Sequence, residues 1–91
     1  PVEELDKIIC VDTDKEGAFV FAERLRVLIE TNPVKYKHFE ITMTVSIGLA
    51  GSSNDFKNHE RWIEAADKAL YQSKNTGRNK VIAYEDIKND A

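Results

Sequence analysis

The most constraining feature of this chain is a run in which apolar and mostly small polar side chains alternate. Between residues 39 and 50, every second position is apolar, at Phe39, Ile41, Met43, Val45, Ile47 and Leu49. A β-strand with one buried face requires this period of two, because successive side chains point to opposite faces of a sheet. The run therefore predicts a long strand. Gly48 within it indicates a bulge or a close approach of another backbone.

A first helix is predicted upstream of this strand. Residues 13–16 (Thr-Asp-Lys-Glu) fit a capping box, in which the threonine hydroxyl and the glutamate carboxylate each satisfy a backbone amide. Apolar residues then follow at helical spacings, at Ala18, Ala22, Leu25 and Ile29, with Phe21 and Leu28 flanking them. This is the apolar face of an amphipathic helix. We expect the helix to end at Asn32-Pro33, since proline disfavours helical geometry in the residue before it.

A second helix is predicted from about Asn58, a candidate N-cap, to Asn75. Its expected core stripe consists of Trp62, Ala66, Ala69 and Leu70. Gly77 is well placed to end the helix in a left-handed turn. Residues 51–55 are predicted as a loop, and residues 7–11 and 80–84 as two short strands, the first of them buried. The order strand, helix, strand, helix, strand predicts an α/β chain, an α+β sandwich in which helices pack on one sheet.

Composition excludes several classes of function. The chain has 91 residues, 42% of them hydrophobic and 32% charged, with a net charge of −3. This balance is typical of a globular domain and provides no basic field, so we expect no nucleic-acid partner and no membrane contact by this segment. No apolar run approaches the roughly 20 residues of a membrane span. Cys10 is the only cysteine, and its apolar neighbours favour a buried structural thiol over a reactive one.

Other catalytic machinery is scarce. His38 and His59 are isolated in the sequence, with no spacing that pairs them as metal ligands. Ser46 lies within the predicted long strand without a histidine in a partner position, so a hydrolase triad is not indicated. The four glycines are scattered and form no phosphate-binding loop.

Two cations near the end of the second helix are the main candidate for chemistry. Lys74 supplies a mobile point charge and Arg78 a planar fork suited to phosphate oxygens. They lie four residues apart across a helix end, so both can face one pocket. The alternative is that cations near a helix C-terminus complement its dipole, for about 0.3–1 kcal/mol. Composition alone favours this alternative.

Four segments resemble, in the right order, the C-terminal half of the GGDEF domain of diguanylate cyclases. They are residues 12–14 (Asp-Thr-Asp), 22–26 (Ala-Glu-Arg-Leu-Arg), 44–48 (Thr-Val-Ser-Ile-Gly), and 66–74 with 77–79 (ending in Gly-Arg-Asn). The resemblance extends over residues 12–84, about four fifths of the chain. The resemblance implies a partial nucleotide-cyclase or ferredoxin-like GGDEF fold. It also implies one partial domain over 1–91, with a degenerate lead-in at 1–6 and a frayed tail at 85–91.

The resemblance also implies a reaction and its residues. Active members condense two GTP molecules into cyclic di-GMP across a two-fold dimer, and each subunit supplies one GTP and its Mg²⁺. Lys74 and Arg78 would then hold the GTP phosphates. Arg24 matches an arginine that joins a product-inhibition site in some members. The alternative for Arg24 is a solvated charge on an amphipathic helix.

The chain departs from the family pattern where the signature pentapeptide belongs. Pro1 and Val2 stand in place of its two glycines, and neither residue readily adopts the positive φ of a tight turn. Glu3 would occupy a metal position, since Mg²⁺ favours carboxylates, although an exposed acidic lead-in is the alternative. The half of the family domain that carries the metal-binding aspartate and the guanine-recognising side chains is not in this sequence.

These departures lead to three hypotheses. The first is that the chain is the C-terminal part of a diguanylate cyclase domain, inactive alone and binding neither Mg²⁺ nor GTP by itself. The second is a degenerate module that binds nucleotide, regulates or dimerises without turnover. The third is an unrelated small α/β interaction domain. We expect GTP or cyclic di-GMP as ligands, a homodimer that covers exposed apolar sheet surface, and, by resemblance, a bacterial cytoplasmic location.

Overall fold

The computed structural model describes residues 2–12, 15–52 and 57–87. Two helices pack on a mixed sheet of four strands. The elements in chain order are β1 (Val2–Val11), α1 (Lys15–Glu30), β2 (Val34–Tyr36), β3 (Phe39–Gly51), α2 (His59–Asn75) and β4 (Val81–Ala83), followed by a 3₁₀-helix (Tyr84–Asp86). The predicted α+β class is confirmed. The predicted capping box at residues 13–16 and most of the predicted loop at 51–55 lie outside the described residues.

The long strand β3 organises the sheet. On one side it pairs in parallel with β1 over the whole of that strand, from Val2 opposite Thr42 to Val11 opposite Gly51. On its other side, β2 pairs antiparallel at one end and β4 pairs in parallel further along, with Ile47 opposite Val81. The predicted strand at 39–50 is therefore confirmed, and it is the central strand of the sheet.

The two helices cover opposite faces of β3. Ala22 of α1 packs with Val45 and Ile47, whereas Ala65 and Ala66 of α2 pack with Ala50. Alternate residues of a strand point to opposite faces, so the apolar positions of β3 meet α1 and the small positions meet α2. The expectation of a single buried face was wrong for this part of β3, because every residue from 45 to 51 is buried.

Gly48 marks a close backbone approach, one of the two expectations for this position. A Cβ atom built on Gly48 would lie 2.2 Å from the carbonyl oxygen of Ala66 and 2.3 Å from the amide nitrogen of Leu70. Only a residue without a side chain allows α2 to lie this close to β3. The small residues Ala65, Ala66 and Ala69 on the facing side of the helix are buried for the same reason.

The N-terminal strand differs from its prediction in length and burial. It starts at Val2 rather than at residue 7, and most of its side chains are exposed, with only Leu5, Ile9 and Val11 half-buried. Its acidic first half pairs with β3 through the backbone, which side-chain pattern does not reveal. Within the described part of the chain, β1 has a strand on one side only, and the helices are centred on β3. The prediction of a buried strand was therefore wrong.

The hairpin formed by β2 and β3 was also not predicted. Tyr36 lies opposite Phe39, and Lys37 between them has a φ of 55°. Positive φ in hairpin turns usually coincides with Gly or Asn, and Lys37-His38 carries neither signal.

Candidate functional site

The C-terminal end of α2 places Lys74 at the start of the site. Asn58 begins this helix as predicted, since its side-chain Oδ1 accepts from the amide of Arg61 at 2.9 Å. The predicted core stripe is confirmed: Ala66, Ala69 and Leu70 are buried, and Trp62 is half-buried with its Nε1 donating to the carbonyl of Ala50 at 2.9 Å. The buried face continues to Ser73, so the next residue, Lys74, lies beside the core and reaches solvent.

The turn after α2 carries Arg78. Three successive residues have positive φ, at 119° for Gly77, 61° for Arg78 and 49° for Asn79. The amide of Arg78 donates to the carbonyl of Ser73 at 2.9 Å, which is the long hydrogen bond of a Schellman cap. The predicted left-handed ending at Gly77 is confirmed. Positive φ is unfavourable for the two non-glycine residues, Arg78 and Asn79, so contacts with neighbouring elements must hold the turn.

Asn79 provides those contacts through its backbone amide and both polar atoms of its side chain. Its amide donates to Ser46 Oγ of β3 at 3.0 Å, and its Nδ2 donates to Glu30 Oε2 of α1 at 2.7 Å. Its Oδ1 accepts from Arg26 Nη1 at 3.0 Å. The turn that bears Arg78 is thereby fixed to both α1 and β3.

Arg26 is itself held by two carboxylates. Its guanidinium donates to Glu23, and its Nη1 also donates to Glu30 Oε1 at 3.3 Å. The hydrogen bond to Glu23 is the largest cause that raises the pKa of Arg26 above its ordinary value. Arg26 therefore stays charged and serves as the anchor of the Asn79 contacts.

Lys74 and Arg78 converge on the start of β1. Lys74 Nζ lies 3.3 Å from Asp6 Oδ2, and Arg78 Nη1 lies 3.7 Å from Asp6 Oδ1. Arg78 Nε lies 3.1 Å from Glu4 Oε2. The four side chains are between 33% and 48% exposed, so the group is open to a ligand from solvent. We call Glu4, Asp6, Lys74 and Arg78 the charged cluster.

The sheet register explains this arrangement. Glu4 and Asp6 are two residues apart in a strand and share a face. Asp6 lies opposite Ser46, the residue whose hydroxyl accepts from Asn79. The parallel pairing of β1 and β3 thus brings the carboxylates under the turn that carries Arg78.

Glu3 lies apart from this cluster. It is exposed, and the alternation of β1 places it on the face shared with Leu5 and Ile9, which pack with the α1 side of the core. Among residues 2–12, 15–52 and 57–87, no group of three His, Cys, Asp or Glu side chains is arranged to hold a metal ion. The role of Glu3 as a metal ligand therefore stays a prediction.

Arg24 is also separate from the charged cluster. It is exposed on α1, which covers the opposite face of β3 from α2. It lines a shallow groove of about 310 Å³ with Glu23, Val27, Leu28 and Thr31. The structure thus brings together Lys74 and Arg78 but does not bring Arg24 to them.

Ser46, His59 and Cys10, which the sequence analysis also considered, lie outside the charged cluster. The buried Ser46 accepts from Asn79, as described above, and His59 lies 6.4 Å from Trp62 between ring centroids. Cys10 is exposed, so the expectation of a buried thiol was wrong, because β1 is covered less than its apolar sequence indicates. Partial desolvation nevertheless raises the pKa of the Cys10 thiol above its ordinary value.

Sequence reasoning missed Glu4, Asp6, Arg26 and Asn79 as members of the site. A signal existed for the first two, since acidic residues at alternate positions of a strand share a face. It went unused because residues 1–6 were not predicted as a strand. Asn79 belongs to a segment that resembles the family, but its partners depend on the tertiary fold.

In the part of the chain that the structure describes, no helix is long and apolar enough to cross a membrane.

Comparison with known proteins identifies the family. A family model described as "Diguanylate cyclase, GGDEF domain" matches residues 5–80. Diguanylate cyclase A of Treponema denticola is 39% identical over 70 residues, which are 77% of this chain and 19% of that protein. Response regulator PleD of Caulobacter vibrioides is 31% identical over 77 residues, which are 82% of this chain and 17% of that protein.

Probable diguanylate cyclase DgcT of Escherichia coli is 35% identical over 77 residues, again 82% of this chain and 17% of that protein. The chain thus spans less than a fifth of the length of each of these three relatives. The family match includes Asp6, Lys74 and Arg78. With the α+β fold and the four resembling segments, it shows that this chain belongs to the GGDEF family as part of a diguanylate cyclase-type domain.

Proposed function

We propose that this segment supplies the phosphate-binding part of a domain that converts two GTP molecules into cyclic di-GMP, with Lys74 and Arg78 holding the GTP phosphates. The observation that carries the proposal is their convergence. Both cations lie within 4 Å of the same carboxylate of Asp6, so one anion can contact both. An alternative role in complementing the helix dipole requires no such convergence.

The chemistry assigned to these residues is binding and orientation. The reaction requires in-line attack of a ribose 3′ hydroxyl on an α-phosphate, and positioning accounts for much of catalysis in phosphoryl transfer. The Lys74 ammonium contributes a mobile charge, and the Arg78 guanidinium contributes two parallel donors.

We further propose that these 91 residues alone form no cyclic di-GMP. Pro1 and Val2 replace the glycines of the signature turn, and neither residue favours the positive φ through which backbone approaches a nucleotide. Incubation with GTP and Mg²⁺ is expected to give no more cyclic di-GMP than a sample without protein. Product above that background would contradict this part of the proposal.

The sequence predicts no GTP bound by the chain alone, whereas the convergence of Lys74 and Arg78 supports weak phosphate binding. Titrating the isotope-labelled chain with GTP and observing NMR shifts distinguishes the two. Lys74→Ala and Arg78→Ala are each expected to weaken binding about tenfold, which is about 1.4 kcal/mol. Lys68→Ala removes the same charge from an exposed position on α2, where Lys68 lies 4.0 Å from Glu64. This control is expected to bind like the unchanged chain. If all three variants lost GTP affinity equally, the affinity would depend only on the net charge of the chain, and Lys74 and Arg78 would have no specific role.

A second candidate function is a module that dimerises or regulates without turnover. Four large apolar side chains on α1 are exposed by 42–65%: Val20, Phe21, Val27 and Leu28. An exposed patch of this kind favours a protein partner, and a homodimer is the partner we propose. Light scattering is expected to show a dimer in the unchanged chain and a monomer in Phe21→Ser. A monomer in both would refute dimerisation.

The groove at Arg24 is proposed as the place where cyclic di-GMP inhibits. Arg24 is exposed and reaches solvent beside Val27 and Leu28, so a nucleotide can approach it. Arg24→Ala is expected to weaken binding of cyclic di-GMP and to leave GTP binding unchanged. The proposed location of this activity is the bacterial cytoplasm, where GTP is available.

A further inference from the structure

We propose that Asp6, together with Glu4, sets the phosphate affinity of the charged cluster by competing with the incoming anion for Lys74 and Arg78. This inference rests on the proposed phosphate-binding function. It assigns to two acidic side chains on β1 a role in selecting which anions bind, because an anion must offer the cations more than the two carboxylates already do.

The contacts show that the cations are occupied. Asp6 uses one carboxylate oxygen for Lys74 and the other for Arg78, at 3.3 and 3.7 Å. Glu4 takes the Nε of Arg78 at 3.1 Å. One carboxylate therefore lies at each of the two guanidinium edges through which an arginine binds phosphate with parallel hydrogen bonds.

Charge makes the same point. The cluster contains two positive and two negative side chains, so its formal charge is zero. A phosphate that contacts Lys74 and Arg78 would meet the carboxylate of Asp6 within a few ångströms. Like charges at that distance repel, and exposure to solvent weakens the repulsion without removing it. Binding is favourable only if the anion displaces Asp6 or carries enough charge to outweigh it.

Strand preference does not explain these acidic residues. Aspartate and, to a lesser degree, glutamate are disfavoured in strands, yet Glu4 and Asp6 lie inside β1. Exposed ion pairs stabilise a protein only weakly. The weak stabilisation from these ion pairs therefore does not explain why residues with unfavourable strand propensity occupy these positions.

The opposite role is pre-organisation, in which the carboxylates hold the cations ready for phosphate. The structure favours competition, because other contacts already fix the backbone that carries the cations. The amide of Arg78 bonds to Ser73, and the next residue, Asn79, bonds to Ser46, Glu30 and Arg26. The backbone of Arg78 is therefore held by contacts that do not involve Asp6, and we expect removal of Asp6 to free the guanidinium without releasing the turn.

The test compares affinities for tripolyphosphate, measured by NMR titration without divalent cations at about 0.15 M ionic strength, where screening acts over about 8 Å. Asp6→Asn removes one charge and keeps the side-chain shape, and it should raise affinity about three- to tenfold, or about 0.7–1.4 kcal/mol. Glu4→Gln should raise it less, because among the described side chains Glu4 pairs with Arg78, whereas Asp6 pairs with both cations. Glu60→Gln removes a carboxylate from the first turn of α2, 14 residues from Lys74 and so about 21 Å along the helix, and should change nothing.

A second variant, Asp6→Thr, protects the test against a folding defect, since threonine favours strands. The Nε–Hε signal of Arg78 in the unliganded chain provides an independent readout. It should shift in Asp6→Asn and Glu4→Gln and stay in place in Glu60→Gln.

The possible outcomes separate this inference from the proposed function. If the unchanged chain binds tripolyphosphate and both Asp6 variants bind equally or more weakly, competition is refuted and phosphate binding stands. If Asp6→Asn binds and the unchanged chain does not, competition is supported in its strongest form. If no variant binds, both proposals fall.

Discussion

Replacing Gly48 with alanine should destabilise the fold more than the same change at Gly77. The added Cβ would lie 2.2 Å from Ala66 O, 2.3 Å from Leu70 N and 2.8 Å from Leu70 Cα. All three are backbone atoms of α2, so no side-chain rotamer can relieve the overlap. Ordinary contacts begin near 3.4 Å, and the helix must therefore move about 1 Å away from β3.

The cost follows from that displacement. A gap of about 0.5–1 Å removes a quarter to a half of the dispersion energy of each contact it opens. Overpacked cores typically lose about 1–3 kcal/mol. Because a whole helix must shift here, we expect about 3 kcal/mol. A domain of this length has a total free energy of unfolding of about 5–14 kcal/mol, so the loss is a substantial fraction of it.

Urea denaturation followed by Trp62 fluorescence measures this loss. Trp62 lies on the helix that must move and donates to Ala50 O of β3, so its emission reports the separation of α2 from the sheet. With a slope of about 1–2 kcal/mol per molar urea, the midpoint should fall by about 1.5–3 M. The slope itself should not change.

Gly77→Ala is the matched comparison. Its Cβ would meet nothing closer than Lys80 Nζ at 3.6 Å, but its φ of +119° strains any other residue. Backbone strain of this kind is about 1–3 kcal/mol, and the fraying end of a helix absorbs part of it. If Gly48→Ala loses no more stability than Gly77→Ala, the close helix–sheet contact is not what Gly48 provides.

Three further predictions follow from hydrogen bonds and burial. Asn79→Ala should lower the free energy of unfolding by about 2–3 kcal/mol, since it removes the side-chain hydrogen bonds to Glu30 and Arg26 and a residue that tolerates positive φ; urea denaturation measures this. Asn58→Ala should lower it by about 1 kcal/mol through loss of the helix cap on Arg61, whereas Asn58→Ser should change it little. Alkylation rates of Cys10 should show a midpoint at higher pH than those of the same thiol in the unfolded chain, because desolvation raises its pKa. The folded state then binds the thiol proton more tightly than the unfolded state, so this contribution to stability should be lost as pH rises through the raised pKa, and Cys10→Ser should abolish the loss.

Local patterns were sufficient to predict the central elements of this fold. Helix α2 was predicted from Asn58 to Asn75, and the cap, the alanine stripe and the ending at Gly77 are all present. These features are local, because a period of 3.6 or 2 and a cap involve residues close in sequence. Strand β3 was predicted within one residue of its end for the same reason.

Edge elements were predicted poorly. The first half of β1 carries Glu3, Glu4 and Asp6, which do not favour strands, and its pairing with β3 depends on residues about 40 positions away. The exposure of Cys10 depends on where the helices lie over the sheet. Neither property is encoded in a local pattern, so both required the tertiary structure.

The charged cluster illustrates the same division. Lys74 and Arg78 were predicted to face one pocket from their spacing across a helix end, and in the structure both lie within 4 Å of Asp6; their role with phosphate stays a prediction. Their partners Glu4 and Asp6 come from a strand whose register no sequence pattern specifies. The cations of the site were therefore predictable, but the balance of charge around them was not.

The turn at residues 77–79 connects the fold to the proposed site. Asn79 bonds to Arg26 and Glu30 of α1 and to Ser46 of β3, while the preceding residue, Arg78, faces β1. A displacement of α1 relative to the sheet must therefore stretch these bonds or carry the turn with it. Since α1 also bears the exposed Arg24 and the apolar face on its outer side, a partner or ligand that moves α1 would alter the position of Arg78 without contacting the charged cluster.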